Sequence, residues 1–130
     1  MTQNQVSRII TNAMKLANES EIEIAVSVVD KGGHLIGFMR TENCSFAAIE
    51  VSKMKASTSC AFAMPTDTIG KLVQTDPFMK NAFESFKEIF YFGGGVPILL
   101  DNKIIGGIGV SGVNPMQDKQ IAEKSIADFT

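Results

Sequence analysis

Residues 24–40 read IAVSVVDKGGHLIGFMR, and this stretch decides much of the fold. The part from Ile24 to Asp30 is rich in β-branched residues, which favour strands. Lys31-Gly32-Gly33 predicts a turn, and the residues from His34 to Arg40 predict a returning strand. Because a parallel return needs a dozen or more residues, the short link indicates an antiparallel hairpin.

A second hairpin is predicted later in the chain. Val96–Leu100 and Lys103–Ser111 have the composition of two strands joined by a short turn. Pro97 cannot donate to a strand ladder, so its strand is expected at a sheet edge or a bulge. The aromatic residues 90–92 predict one further short strand, which Gly93-Gly94-Gly95 interrupts. Together these segments predict a five-stranded antiparallel sheet.

Helices are predicted before, between and after the strands. Residues 2–18 repeat apolar positions at helical spacing, and Thr2 with Gln5 fits a capping box. Asn114 and Pro115 suit the start of a last helix. Further helices are predicted over 45–62, 67–74 and 78–89. The order of elements is that of one α+β domain, residues 1–130, in which helices cover the sheet.

Composition and charge argue against several function classes. The 130 residues carry 12 basic and 14 acidic side chains, without the basic stripe of a nucleic-acid-binding surface. There is no polybasic cluster for a membrane surface and no apolar run near the ~20 residues of a membrane helix. The N-terminus lacks a signal-peptide pattern, so a cytoplasmic protein is expected. Cys44 and Cys60 are then expected to be free thiols.

Lys55 is the most informative polar residue. Glu50, Lys53 and Ser57 form one polar stripe of the second helix, and Lys55 falls nearly opposite that stripe, on the apolar side. Such a lysine either extends its amine to the edge of the apolar surface or meets an acidic partner or a ligand. A buried lysine can also become reactive, because burial lowers its pKa.

His34 is the only histidine of the chain, and it opens a predicted strand whose same face carries Arg40. Three roles stay open for it: a turn-capping residue, a general base, or an axial ligand to the metal of a cofactor. A single histidine without a Cys-x-x-Cys motif cannot build a zinc site from protein ligands alone. No bound metal ion is therefore expected.

Two glycine-rich segments and one acid complete the candidate set. Gly93-Gly94-Gly95 is not a phosphate loop, since a strand follows it, and it indicates a sharp bend or a close approach to a ligand or a subunit. On one face of the strand at 103–111, Gly107 and Gly109 provide no side chains, which fits either close helix packing or space for a ligand. Asp118 lies in the first turn of the last helix, where the helix dipole favours an acid.

Five segments in this order resemble the GlcG/HbpS-like family, which also forms the C-terminal domain of PduO-type cobalamin adenosyltransferases. The segments are Val28 to Leu35 (V-V-D-x-G-G-x-L), the Lys55 helix ending at Phe62 (K-A-x-T-A-x-x-F), Gly93 to Ile98 (G-G-G-x-P-I), Ile108 to Gly112 (I-G-V-S-G) and Gln117-Asp118 (Q-D). Together they span about residues 25–120. Each motif is weak alone, and the ordered set is fairly specific.

The resemblance implies a profilin-like three-layer α/β/α fold with a five-stranded antiparallel sheet. It also implies homo-oligomers, often tetramers or octamers. Some members bind haem, and others belong to operons for the use of glycolate, glycerol or propanediol.

The leading hypothesis is a small-ligand-binding protein that takes haem or another tetrapyrrole. Lys55, His34 and Arg40 would meet the carboxylates or the metal of this ligand, near Gly93, Gly94, Gly95 and Asp118. A second hypothesis is an isomerase or lyase acting on a small organic acid, with Lys55 or His34 as base and glycine amides as an oxyanion site. A third is an accessory oligomer without catalysis. No nucleophile elbow, His-Glu-x-x-His helix or Rossmann fingerprint is present.

Overall fold

The computed structural model describes residues 1–86 and 88–129. An antiparallel sheet lies between helices, and its strands follow the order β2-β1-β4-β3. The elements are α1 (Gln3–Glu19), β1 (Ala25–Asp30), β2 (Leu35–Arg40), α2 (Ala47–Phe62), α3 (Thr66–Thr75), α4 (Pro77–Glu84), β3 (Gly95–Leu100), β4 (Lys103–Ser111) and α5 (Pro115–Ser125).

Both predicted hairpins are present. β1 pairs with β2 and β3 pairs with β4, and β1 also pairs with β4 along its whole length. Pro97 lies in the edge strand β3, as predicted, and the register of this strand shifts between Ile98 and Leu99. The missing N–H of a proline is tolerated there because an edge strand has one unpaired side.

The predicted fifth strand is wrong, since the sheet of the described residues has four strands. The backbone of residues 90–92 bonds to helix side chains instead. The amide of Phe90 donates to Thr58 Oγ1 at 3.2 Å, and Thr66 Oγ1 donates to the carbonyl of Phe92 at 2.7 Å. Tyr91 packs against the apolar residues of α3 and α4. Packing on helices thus overrides the β-propensity of this aromatic segment.

The predicted helix over 78–89 ends early, at Glu84. The amide of Phe86 donates to the carbonyl of Phe83 at 3.2 Å, a tight final turn, and Glu88 adopts a left-handed backbone with φ of 64°. A left-handed residue cannot continue an α-helix. Residue 87, within the predicted range, lies outside the described residues.

The predicted capping residues of the first and last helices are confirmed. Thr2 and Gln5 form the complete capping box of α1, and the side chain of Asn114 accepts from the amide of Gln117 at 2.9 Å. These bonds satisfy amides that would otherwise have no partner in the first helical turn.

Helices cover both faces of the sheet, which gives three layers. The larger core lies under α1 and α5, where Val26, Val28, Ile108 and Val110 are buried against apolar helix residues. On the other face, α2 contacts β1, β3 and β4. This alternation of faces follows from the period of two along each strand.

Close packing of α2 on β4 is made possible by glycine. A Cβ at Gly109 would collide with the carbonyl oxygen of Ser52, and one at Gly107 would lie 2.5 Å from the carbonyl oxygen of Ala56. Of the two interpretations of this bare strand face, close helix packing is the correct one. The hydroxyls of Ser27 and Ser52 share a hydrogen bond of 2.7 Å in the same buried layer.

Three further observations bear on function. Cys44 and Cys60 are buried free thiols, and burial raises the pKa of both. No helix in the described parts of the chain has the length and apolar character needed to cross a membrane. Among residues 1–86 and 88–129, no three His, Cys, Asp or Glu side chains are grouped so that they could hold a metal ion.

Candidate functional site

Lys55 is buried where α2 packs on β4, and it meets an acidic partner there. Its Nζ donates to Asp118 Oδ2 at 3.1 Å and to the carbonyl of Val110 at 3.0 Å. The ring of Phe90 lies 5.8 Å from the same nitrogen. Helical periodicity correctly placed the lysine on the apolar side of α2, and protein groups supply the partners that it needs there.

Asp118 is held by the start of α5. Its Oδ1 accepts from the amide of Val113 at 3.2 Å, while its Oδ2 accepts from Lys55. The carboxylate also lies in the first turn of the helix, where the dipole favours negative charge. Each carboxylate oxygen therefore has a partner within the protein.

The glycine run 93–95 lies directly against this ion pair. A Cβ at Gly94, whose φ is 132°, would lie 2.8 Å from Lys55 Nζ, and a Cβ at Gly95 would collide with the carbonyl oxygen of Lys55. A Cβ at Gly93 would lie 2.8 Å from the carbonyl oxygen of Pro115. We call Lys55, Asp118 and Gly93–Gly95 the Lys55 cluster. Its glycines permit close contact with α2 and with the start of α5.

Burial dominates the electrostatics of the Lys55 cluster. It lowers the pKa of Lys55, although the attraction of Asp118 acts the other way. It raises the pKa of Asp118, opposed first by Lys55 and then by the amide of Val113. Both shifts have the same cause, since a charge loses its hydration when it enters the protein interior.

His34 lies on the turn between β1 and β2, which is exposed, whereas the Lys55 cluster is buried. Asp30 Oδ1 accepts from the amides of Gly32 at 2.9 Å and His34 at 3.0 Å, and it lies 3.3 Å from Nδ1 of the imidazole. These bonds, led by the His34 amide, lower the pKa of Asp30. The histidine side chain is 82% exposed. Its Nε2 has no protein partner among the described residues.

Arg40 ends β2, and among the described residues it forms no hydrogen bond or salt bridge with the Lys55 cluster or with His34. Its Nη1 donates to the carbonyl of Cys44 at 3.3 Å. Arg40 lies six positions after His34 along the chain, which places the two Cα atoms about 20 Å apart at the usual strand rise. The structure therefore brings Lys55, Asp118 and Gly93–Gly95 together, and leaves His34 and Arg40 at opposite ends of an edge strand.

Two surface grooves, each of about 540 Å³, were not predicted from the sequence. The α2 groove lies between the outer side of α2 and three residues that follow α4, namely Phe86, Glu88 and Ile89. The α1–β2 groove lies between α1 and the edge strand β2. Lys55 lines neither groove. The polar residues on the outer side of α2 were the sequence signal that could have indicated the α2 groove. However, Glu50, Lys53 and Ser57 also fit a helix face that is exposed to solvent.

Comparisons with known proteins agree with the resemblance of the five motifs. A protein of Citrobacter freundii from the dhaT–dhaS intergenic region is 32% identical over 115 residues, which are 88% of this chain and 81% of that protein. The GlcG protein of Escherichia coli K12 is 31% identical over 111 residues, covering 85% of this chain and 81% of its own.

A solved structure described as a PduOC:haem complex superposes with a TM-score of 0.91 at 25% identity, covering 98% of this chain and 93% of the other. The family model described as haem degrading protein HbpS-like matches residues 1–127. The chain therefore belongs to the GlcG/HbpS-like family.

Proposed function

We propose that the protein binds haem, with His34 as an axial ligand of the iron. The observation that carries this proposal is the His34–Asp30 pair on the exposed β1–β2 turn. Histidines that ligate a metal commonly have their other ring nitrogen held by a carboxylate, which orients the imidazole. Here Asp30 holds Nδ1, and Nε2 is left as the nitrogen for the iron.

The family and one solved relative support the choice of haem over other ligands. The matching family is described as haem degrading, and the PduOC structure of similar fold was solved as a haem complex. Exposed apolar residues follow His34 on β2, namely Leu35, Ile36 and Met39. A planar tetrapyrrole ring needs such apolar surface beside the residue that ligates its metal.

The other predicted site residues take different roles in this proposal. We propose that Arg40, at the end of β2, contacts anionic groups of the ligand. Lys55 and Asp118 are already bonded to each other, and Gly93–Gly95 pack against them, so we propose that this cluster supports the fold behind the site. Direct contact between these residues and a ligand stays a prediction.

We also propose that the protein acts in the cytoplasm as a homo-oligomer, a tetramer or an octamer. Both edges of the sheet present exposed apolar side chains, Leu35 and Met39 on β2 and Leu99 and Leu100 on β3. Apolar sheet edges favour association with another copy of the chain. Native mass spectrometry of the purified protein distinguishes these assemblies from a monomer.

Haem titration followed by absorption spectroscopy tests the proposal. The wild type should give a saturable, shifted Soret band, and His34→Ala should lose it because no second histidine can replace the ligand. Added imidazole should restore a wild-type-like spectrum to His34→Ala. Lys31→Ala, in the same turn, serves as the matched control. Bleaching of the bound haem with hydrogen peroxide would indicate degradation in addition to binding.

Two results would contradict the proposal. A wild type without a ligand-dependent Soret band would exclude haem binding. An unchanged spectrum in His34→Ala would place the iron ligand on another residue.

A further inference from the structure

The outer side of β2 is an open strand edge. Within the described sheet β2 pairs only with β1, so its other side has no strand partner there. The amide of Thr41 donates to the carbonyl of Ile24, and alternation along the strand therefore turns the backbone groups of Phe38 and Arg40 outward. The pairing of β2 with β1 is regular from Gly37 to Arg40. This stretch can therefore accept a further strand.

The two edges of the sheet are not equally protected. The amide of Val110 donates to the carbonyl of Gly94, so alternation turns the backbone of Pro97 outward on the β3 edge, where it has no N–H to offer. On the β2 edge, residues 35–39 include neither a proline nor a charged side chain, and Leu35 and Met39 are 46% and 48% exposed. Because proteins usually protect such an edge with charges, prolines or a cover, the β2 edge is the one that needs a cover.

The α1–β2 groove runs beside this open edge. The residues that line it are all described, and they include no Asp, Glu, Lys or Arg side chain. A Cβ at Gly37 would collide with Val6 and lie 2.7 Å from Ile10, so α1 covers β2 closely at this glycine. Met39 lies on the same face of β2, two residues further on. An uncharged groove beside an open edge fits an uncharged strand from another chain.

We infer that this edge and the α1–β2 groove bind a second copy of the chain, whose β2 pairs antiparallel with β2 about a two-fold axis. The inference rests on the homo-oligomer of the proposed function and names one of its interfaces. The axis passes between the two Phe38 residues, because their outward backbone groups can exchange two hydrogen bonds. The two sheets then join into one continuous sheet.

The side chains are self-complementary in this register. Counted from the Phe38 pair, Met39 of each copy lies opposite Gly37 of the other and enters its α1–β2 groove. Because α1 contacts both β1 and β2, the two α1 helices come to lie about 10 Å apart, or two strand spacings, which is close to the usual distance of packed helices. Ser7 and Thr11, on the α1 side of the groove, bring no charge to this contact.

The charges at the ends of the strand favour the same register. With Phe38 at the axis, Glu42 of each copy lies opposite His34 of the other, so that an acidic group meets a basic one. An axis at Gly37 would instead place Arg40 opposite His34, and like charges directly opposite each other are unfavourable. The uncharged centre and the opposite charges at its ends therefore fit a second copy of β2.

Met39→Lys is the principal test, because it places a charge in the groove of the second copy. Light scattering after size-exclusion chromatography should give this variant at most half of the wild-type mass at the same concentration. Met116→Lys is the matched control, since Met116 is 72% exposed and lies outside the groove, and it should keep the wild-type mass. His34→Ala should keep it too, because an exposed pair contributes little, and this separates the test from haem binding.

Two further measurements test the strand pairing itself. In the wild type the outward amides of Phe38 and Arg40 should exchange with deuterium at least tenfold more slowly than in Met39→Lys. A short bifunctional thiol reagent should join the chains of Met39→Cys in pairs, since the two thiols lie on one face beside the axis. It should not join wild-type chains, because Cys44 and Cys60 are buried.

The outcomes separate this interface from the proposed oligomer. A monomeric wild type would overturn both. An oligomeric wild type whose mass is unchanged by Met39→Lys would overturn the β2 interface alone, as would rapid exchange of the Phe38 and Arg40 amides in the assembled protein.

Discussion

Two pairs in this molecule join a basic side chain to an aspartate at nearly the same distance but in opposite surroundings. Lys55 Nζ lies 3.1 Å from Asp118 with side chains only 3% and 4% exposed. His34 Nδ1 lies 3.3 Å from Asp30 with side chains 82% and 39% exposed. The distances alone would suggest similar roles, whereas the burial separates the two pairs.

The comparison teaches that burial decides how a polar pair can be used. A buried ion pair must satisfy its partners within the protein, and the loss of one partner leaves an uncompensated charge in the interior. An exposed pair contributes little to stability because water screens and replaces it. This difference is the basis of the proposal that the Lys55 cluster supports the fold and that the His34–Asp30 pair binds a ligand.

Breaking the buried pair should give the largest effect. Lys55→Met leaves the Asp118 carboxyl without its partner in the interior, which should lower the free energy of unfolding by about 3–5 kcal/mol. Lys53→Met is the control on the same helix, since Lys53 pairs with Glu50 at the surface, and it should change this free energy by less than about 0.5 kcal/mol. Urea denaturation at neutral pH measures both, and similar values for the two variants would contradict the assignment.

Adding a methyl group at a glycine of each region sharpens the contrast. Gly94→Ala should destabilise by about 3 kcal/mol, because the new Cβ would meet Lys55 and the carbonyl of Val110 in a left-handed backbone. Gly33→Ala in the His34 turn also has a positive φ, of 84°, but no atom lies within 4 Å of its new Cβ. It should cost only about 1 kcal/mol. Thermal unfolding of the two variants tests this, and equal shifts would mean that the Lys55 cluster is not tightly packed.

The pH dependence of stability should reveal the buried pair. Because the pKa of Asp118 is raised in the folded state, its contribution is complete below the ordinary value of 3.8 and is lost as the pH rises through the folded pKa. Because the pKa of Lys55 is lowered, its contribution is present above 10.5 and is lost as the pH falls through the folded pKa. Both signs follow from the proton balance between the unfolded and folded states.

The double variant Lys55→Met/Asp118→Leu removes both of these dependences. The stability of the wild type relative to this variant should therefore fall as the pH rises from about 4. Urea denaturation across the acid range measures the difference. A relative stability that rose with pH instead would show that the mutual attraction of the pair outweighs its burial.

The smallest effect on stability is expected at the exposed pair. His34→Ala should change the free energy of unfolding by less than about 0.5 kcal/mol, because its side chain is largely hydrated and makes one surface pair. The amide of residue 34 would still donate to Asp30. Urea denaturation tests this, and a loss above about 2 kcal/mol would assign His34 to the fold rather than to a ligand site.

The features that followed from sequence were those with local causes. The hairpin of residues 24–40 depends on a short glycine turn between β-branched strands, and the start of α5 depends on Asn114 and Pro115. The prediction of a fifth strand was wrong although residues 90–92 have strand propensity, because the hydroxyls of Thr58 and Thr66 form hydrogen bonds with the backbone of this segment. The sequence of a short segment does not show that distant side chains will compete for its backbone hydrogen bonds.

The candidate site could likewise be predicted from the sequence only in part. Lys55 could be placed on the apolar side of α2 because a helix repeats every 3.6 residues, but its partner Asp118 is 63 residues away along the chain. The α2 groove combines Glu50 of α2 with Glu88, which belongs to a different segment. Sequence spacing does not reveal such a combination.

By itself, the sequence determined both hairpins, the helices around them, the caps of α1 and α5 and the side of α2 on which Lys55 lies, since turn residues and periodicity act over a few positions. Only the tertiary structure decided that the glycines of β4 receive a helix, that Lys55 meets an aspartate, and that His34 remains open to solvent. These outcomes depend on which distant surfaces pack together, and packing is settled by the shape and burial of the whole core.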